Sequence, residues 1–173
     1  MVNPQFEKWA QEFSGCDEGN PNGKIWLCGL EFGGGETERS FRFEDLTKPT
    51  FVGEATWGKD WPQTFLKHPY NLRAVKLLQS FSGKHALDIV ECFRQEDCFG
   101  QESNYFKLNL YPIAFRDTSD AHWNDWIGQI TGIESKSEYI AWCRVNRFPV
   151  LRQWVHEVLP HRIPAIRSAA PKM

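Results

Sequence analysis

Lys24-Ile25-Trp26-Leu27-Cys28-Gly29-Leu30 runs directly into Glu31-Phe32-Gly33-Gly34-Gly35-Glu36. The first stretch is a short, nearly continuous apolar run, the pattern of a strand buried on both faces in the middle of a parallel sheet. The second stretch ends that strand, because clustered glycines let the backbone turn tightly and approach a ligand closely. In open α/β sheets, ligands bind just beyond the carboxyl ends of strands. Gly29–Gly33 is therefore a candidate site. It is not a nucleotide loop of a familiar kind: neither Gly-x-Gly-x-x-Gly nor the Walker pattern is present, and Glu31, Glu36 and Glu38 repel phosphate. The same residues also read as a glycine turn carrying solvated glutamates.

Outward from this strand, helical and extended patterns alternate. Phe6, Trp9, Ala10 and Phe13 recur at helical spacing, with Pro4 suited to a first turn, and predict a helix over 4–14. Residues 15–23, rich in Gly and Asn, predict a turn connection. From Thr37 to Gln63 no period holds: Pro49, Gly53, Gly58 and Pro62 alternate with Phe41, Phe43, Phe51, Trp57 and Trp61. A loop of that length in a compact domain is more often functional than not. Leu72, Val75, Leu78 and Phe81 predict a helix over 69–81 with Gly83 beyond its end, and 85–99 reads as helical too. Residues 104–111 form a second apolar run, ended by Pro112. Ser119 or Asp120 caps a helix through Ile130, and Ser135 or Ser137 another through Cys143. Phe148, Leu151, Val155 and Leu159 mark a last helix closed by Pro160. Beyond it, residues 162–173 either begin with a short strand at Ile163, Ala165 and Ile166 or trail without one.

Composition bounds the rest. At 173 residues, with 41% hydrophobic and 24% charged side chains, the chain fits one globular domain over 1–173. No apolar run approaches the ~20 residues of a membrane span, and the first ten residues lack the apolar centre of a signal peptide. Five scattered cysteines, an odd number, read as reduced thiols of a cytoplasmic protein. Cys28 is expected to be buried and chemically quiet; its alternative, a thiol nucleophile paired with a histidine such as His68, lacks any surrounding signature. His85, Cys92 and Cys98 do not have zinc-ligand spacing, and no metal or cofactor is expected. A net charge of -2 argues against attachment to nucleic acid by bulk charge, and equally against an acidic DNA mimic. Arg144 and Arg147, with Arg152 and His156, are candidate contacts to a phosphate backbone; a charged helix face in water explains them as well. The 8 Trp and 13 Phe belong either to a binding surface or to an aromatic core.

The second segment with chemical content is Leu108-Asn109-Leu110-Tyr111-Pro112, followed by Arg116-Asp117. If the two strands are parallel neighbours, this loop lies beside Glu31. Asn109 carries amide donors and an acceptor suited to reading an amide-like ligand edge. The alternative is a strand-end Asn and Tyr bonded to neighbouring backbone.

Together the segments resemble the uracil-DNA glycosylase superfamily. The order is similar over most of the chain: helix, strand with Gly-x-x-x-Gly, aromatic loop, helix, a strand entering an Asn- and Pro-containing loop, and a final helix ending in Pro. Gly29-Leu30-Glu31-Phe32-Gly33 resembles the first motif, in which Gly-x-Asn-Pro-Gly or Gly-Glu-x-Pro-Gly positions the hydrolytic water. Asn109-Leu110-Tyr111-Pro112 is similar to the strand end beside the extruded base. Leu151 to Pro160 resembles the amphipathic helix before the last strand. The chain departs from the pattern in three places. Glu31 stands where the commonest version has Asn, and Phe32 where it has Pro. No His-Pro-Ser-like loop follows Pro160, where His161 precedes Arg-Ile-Pro. In the superfamily that loop stabilises the departing uracil anion and supplies the wedge that enters the duplex.

The resemblance implies an α/β three-layer sandwich with a short, mainly parallel central sheet. It implies a DNA-repair hydrolase, divergent or shortened, that recognises a nucleobase or nucleotide and hydrolyses an N-glycosidic bond. Glu31 is then the catalytic residue, and Phe32, Gly33, Asn109, Tyr111 and Trp57 hold the base. DNA or a nucleobase-containing ligand is the partner. The alternative function is a non-catalytic interaction protein, an inhibitor or degenerate paralogue, whose aromatic loop binds a protein.

Overall fold

The computed structural model describes residues 1–30, 42–47, 61–67, 69–96, 98, 100–115, 123–161 and 163–164. Helix α1 (Pro4–Ala10) starts where Asn3 accepts a hydrogen bond from the Gln5 N–H and Pro4 occupies the first turn. It stops short of Ser14, and the following turns lead through Gly15, whose φ of 75° favours glycine, into strand β1 (Cys16–Gly19). The expected turn connection thus contains a strand. Strand β2 (Ile25–Gly29) follows, then a 3₁₀ turn (Phe43–Thr47), helices α2 (Trp61–Leu66), α3 (Pro69–Ser82) and α4 (Ile89–Gln95), and strand β3 (Tyr105–Asn109). Helix α4 begins at Ile89 rather than near His85 because the Asp88 carboxylate caps the Val90 N–H at 2.9 Å. Helices α5 (Asp125–Thr131) and α6 (Lys136–Trp142) are capped by Asn124 and Ser135. The Ser119 and Asp120 caps considered for α5 lie outside the described residues; Asn124 does that work. A π-helical turn (Cys143–Arg147) then joins α6 to helix α7 (Phe148–Val158) without a break.

The strands form one sheet in the order β1-β3-β2. Ile25 N–H donates to Asn104 O at 3.0 Å and Leu110 N–H to Gly29 O at 3.0 Å, so β2 and β3 advance together and are parallel. Asn20 N–H donates to Tyr105 O at 2.8 Å and Asn109 N–H to Gly15 O at 3.1 Å, so β1 runs antiparallel to β3. On its other edge β2 is bonded too: His161 N–H donates to Lys24 O (2.7 Å) and Cys28 N–H to Pro164 O (3.0 Å). His161 and Pro164 thus lie beside the β2 edge; Ala165 and Ile166, part of the expected short strand, lie outside the described residues. All five residues of β3 are buried, whereas Ile25 and Cys28 of β2 are half-buried. The strand with both faces covered is therefore β3. The molecule is a mixed helix-and-strand fold around a small sheet with a parallel pair.

Contacts divide the chain into two compact units: Met1–Cys16, Gly29–Phe51 and Leu108–Leu159; and Asp17–Cys28, Val52–Lys107 and Pro160–Met173. The first has a core built from Phe6, Trp9, Ile113, Phe115, Ile130 and Tyr139, in which rings meet at tilted or edge-on angles. The second is aliphatic and aromatic, with Leu27, Phe65, Val75, Leu78, Phe93 and Tyr105. In it the Tyr105 hydroxyl donates to Glu96 at 2.8 Å and the Lys84 ammonium pairs with the same carboxylate. Burial, and then the Glu96 carboxylate, pushes the Tyr105 hydroxyl up. No helix among the described residues is long and apolar enough to cross a membrane.

Two outcomes follow from these contacts. Gly19 has a φ of 97° and a methyl there would collide with the Tyr105 carbonyl oxygen, while Gly83 has a φ of 71° and open space around it. Gly83→Ala should cost only the left-handed backbone penalty of ~1–2 kcal/mol, and Gly19→Ala clearly more, in urea unfolding. Glu96 has its pKa lowered chiefly by the hydrogen bond from Lys84, with Tyr105 assisting and partial burial opposing. A depressed carboxyl stabilises the fold above its unfolded pKa, ~4.3 for glutamate, and that stability is lost as pH falls through the lower folded value. Glu96→Gln should therefore flatten the fall of melting temperature below about pH 4.5; a parallel fall in both proteins removes Glu96 from the acid limb.

Candidate functional site

The carboxyl ends of β2 and β3 meet within the first unit. Leu110 N–H donates to Gly29 O and, one residue further, Tyr111 N–H donates to Leu30 O at 2.8 Å. Parallel pairing continues past both strand ends, so the residue before Glu31 is tied to the residue before Pro112. Pro112 has no N–H and ends this ladder. The chain beyond it is anchored differently: Ile113 N–H donates to the buried Tyr139 hydroxyl at 3.0 Å. Burial drives the Tyr139 hydroxyl well above its ordinary pKa, so it remains a neutral phenol. Tyr111 is half-buried, with its ring 5.6 Å from Phe148 and 6.1 Å from Tyr139. The Lys136 ammonium lies 4.0 Å from the Phe115 ring centroid, a buried cation on an aromatic face.

Asn109 is 3% exposed, and its side chain turns to the sheet rather than outward. Its Nδ2 donates to Gly15 O at 3.1 Å, the acceptor that also takes its main-chain N–H. This is the backbone-bonded alternative for a strand-end Asn, and it ties the entry of β1 to the end of β3. An amide so engaged does not present that donor to a base.

Arg147 corrects the reading of the basic residues. It is 0% exposed, so it does not contact a phosphate backbone. Its Nε donates to Leu110 O at 2.9 Å, and one terminal nitrogen donates to Ser14 O at 2.6 Å and Asn109 O at 3.2 Å. The other donates to the carbonyls of Ala10 and Glu12 and to the Ser14 hydroxyl. Burial lowers its pKa, an effect countered by Cys16, Tyr139 and Cys143 around it. The guanidinium is a backbone clamp between the α1–β1 turns and the end of β3. Arg144, three residues earlier, is exposed.

Glu31, Phe32, Gly33 and Trp57 lie outside the described residues, as does His68. The structure thus brings together Leu30 and Tyr111, on either side of which the remaining candidates stand in sequence. None of the five cysteines is in a disulfide; Cys28 is half-buried rather than buried, while the other four are buried. Burial pushes the Cys143 thiol up to about 12, which makes it inert. Among the described residues no three His, Cys, Asp or Glu side chains are grouped to hold a metal ion.

No family model, no curated protein and no solved structure matches this chain. The site's meaning therefore rests on its own residues. Two of its organisers, Arg147 and Tyr139, were not legible as such in sequence. The available signal was spacing: Tyr139, Cys143, Arg147 and Leu151 recur every four residues and are all buried.

The clamp has a measurable consequence. Removing a buried charged partner typically costs ~3–5 kcal/mol, because several carbonyls lose their donor at once. Arg147→Ala should approach that loss in urea unfolding, with Arg147→Lys recovering only part, since an ammonium lacks the planar fork. Arg144→Ala should stay within ~0.5 kcal/mol. Equal, small effects at both positions would show that the buried guanidinium carries no stability.

Proposed function

We propose that this chain recognises a nucleobase or nucleotide at the carboxyl ends of β2 and β3 and hydrolyses an N-glycosidic bond there, in the manner of the uracil-DNA glycosylase superfamily. The single observation that carries the reading is the Tyr111 N–H to Leu30 O hydrogen bond at 2.8 Å. It ties the start of the Gly29–Gly33 motif to the Asn109–Pro112 motif, the juxtaposition that superfamily uses. The parallel β2–β3 pair, with helical sequence between, supports the three-layer α/β sandwich that the proposal entails. Glu31, one residue past Leu30, aligns and deprotonates the attacking water. Phe32, Gly33 and Tyr111 contact the base, and Arg144 meets the phosphate backbone. Asn109 serves the site through its main chain. The proposed setting is the cytoplasm.

Chemically, the base must be held out of its stack against aromatic surface while a carboxylate activates water. The test is incubation with uracil-, hypoxanthine- and mismatch-containing oligonucleotides, followed by alkaline cleavage at abasic sites. General bases contribute ~10²–10⁴-fold in rate, so Glu31→Gln should lower cleavage by that factor while leaving melting temperature and oligonucleotide binding in place. Cleavage by Glu31→Gln at the parent rate would eliminate the mechanism.

A second reading has its own observation. Phe43, in the aromatic loop, and Trp126 are each 42% exposed and meet edge-to-face at 5.8 Å. Exposed aromatic pairs suit protein interfaces. If the parent cleaves no damaged base, and Phe43→Ala with Trp126→Ala abolishes capture of one identified protein partner, the chain is an interaction protein.

A further inference from the structure

We propose a second ligand site, independent of the glycosidic reading, in a cleft of about 210 Å³ at the amino ends of β2 and β3. Ile25, Phe81 and Tyr105 give it an apolar lining, and Lys24 and His161 line it as well. The main chain fixes these pieces. His161 N–H donates to Lys24 O at 2.7 Å and Ile25 N–H to Asn104 O at 3.0 Å, so the two basic residues are neighbours through their main chains. Among the described residues no carboxylate lines the cleft, and neither basic side chain forms an ion pair. Phe81 keeps 38% of its surface exposed, which leaves an apolar wall in water.

A site with an apolar body and two adjacent donors, one an ammonium, is complementary to a small anion with a flat apolar part. The imidazole donates an N–H in either protonation state, and the ammonium supplies the charge. Size selects among such anions. Drug-sized ligands fill pockets of ~300–1,000 Å³, so this cleft takes a single ring carrying one anionic group. The ligand class is an aryl carboxylate: the ring lies against Phe81 and Ile25, and the carboxylate bridges Lys24 and His161 through charge-assisted hydrogen bonds.

The experiment is an amide chemical-shift titration of the full chain with benzoate, acetate and benzyl alcohol. Benzoate should give saturable shifts grouped at Ile25, Asn104 and His161, with a dissociation constant on the order of 1 mM, as a ligand of this size allows. Acetate lacks the ring and benzyl alcohol lacks the charge, and each should bind about tenfold more weakly or worse. Lys24→Ala/His161→Ala, at exposed positions, should keep the parent melting temperature and lose benzoate binding about tenfold. Absence of saturable shifts, benzyl alcohol binding as well as benzoate, or undiminished binding in the double variant would each overturn the site.

Discussion

A buried guanidinium is usually neutralised by a carboxylate, but Arg147 is held by carbonyl dipoles. Its N–H groups reach Ala10, Glu12 and Ser14 on one side and Asn109 and Leu110 on the other. Burying such a charge is costly, and only a full set of acceptors makes it tolerable. The set is full because two stretches present carbonyls that secondary structure leaves over. The turns after α1 have outrun their helix, and at the end of β3 the N–H groups of Asn109, Leu110 and Tyr111 remain paired while the Asn109 and Leu110 carbonyls accept from Arg147. The Leu110–Tyr111 peptide shows the coupling most directly: its C=O, from Leu110, accepts from Arg147, and its N–H, from Tyr111, donates to Leu30 O. The strand-end geometry on which the candidate site depends is therefore fixed from both sides of one peptide plane.

Helix geometry explains how Arg147 reaches that position. Lys136, Tyr139, Cys143, Arg147 and Leu151 are all buried, and the last four are spaced by four residues. In an α-helix each residue turns ~100°, so each step of four drifts ~40° off the buried stripe, and three steps leave it. The π turn at Cys143–Arg147 takes up more residues per revolution and returns the stripe to the interior. The irregularity is what lets one continuous helical segment offer Tyr139 to Ile113 and Arg147 to Leu110 at once.

This also explains what the sequence revealed and what it concealed. β2, β3, α3 and α7 were legible because their burial follows the simple periods of strand and helix. β1 was not, because Cys16-Asp17-Glu18-Gly19 has no apolar run; its place comes from pairing with β3 and from Gly19, whose conformation few other residues adopt. Arg147 was read as a surface charge because composition assigns arginine to water, and a 3.6 period breaks at a π turn. Asn109 fits both a ligand-facing and a backbone-bonded role in sequence; only the position of Gly15 decides between them. The aromatic content divides likewise. Trp9 and Trp26 are core residues, whereas Trp126 is left partly in water beside Phe43.

Rate arithmetic sharpens what the proposed site must contain. Enzymes accelerate their reactions by ~10⁶–10¹⁷-fold, and a general base supplies only ~10²–10⁴ of that. Glu31 alone therefore leaves several orders of magnitude to positioning and to stabilisation of the departing base. The superfamily assigns the second task to a loop after its final helix, and His161-Arg162-Ile163-Pro164 does not reproduce that loop. His161 and Pro164 are instead hydrogen-bonded to Lys24 and Cys28 at the β2 edge. Charge stabilisation at a glycosidic site would have to come from dipoles and donors around Leu30 and Tyr111 themselves. Backbone N–H groups at a strand end can do this only where pairing has released them, and Pro112, lacking one, shifts that task to the residues following Leu30. In the proposed site, the Gly33-Gly34-Gly35 run would supply such amides, since glycine has no Cβ to hinder a close approach. Under the proposed function, the Glu31 carboxylate would serve the water and the glycine amides the departing anion.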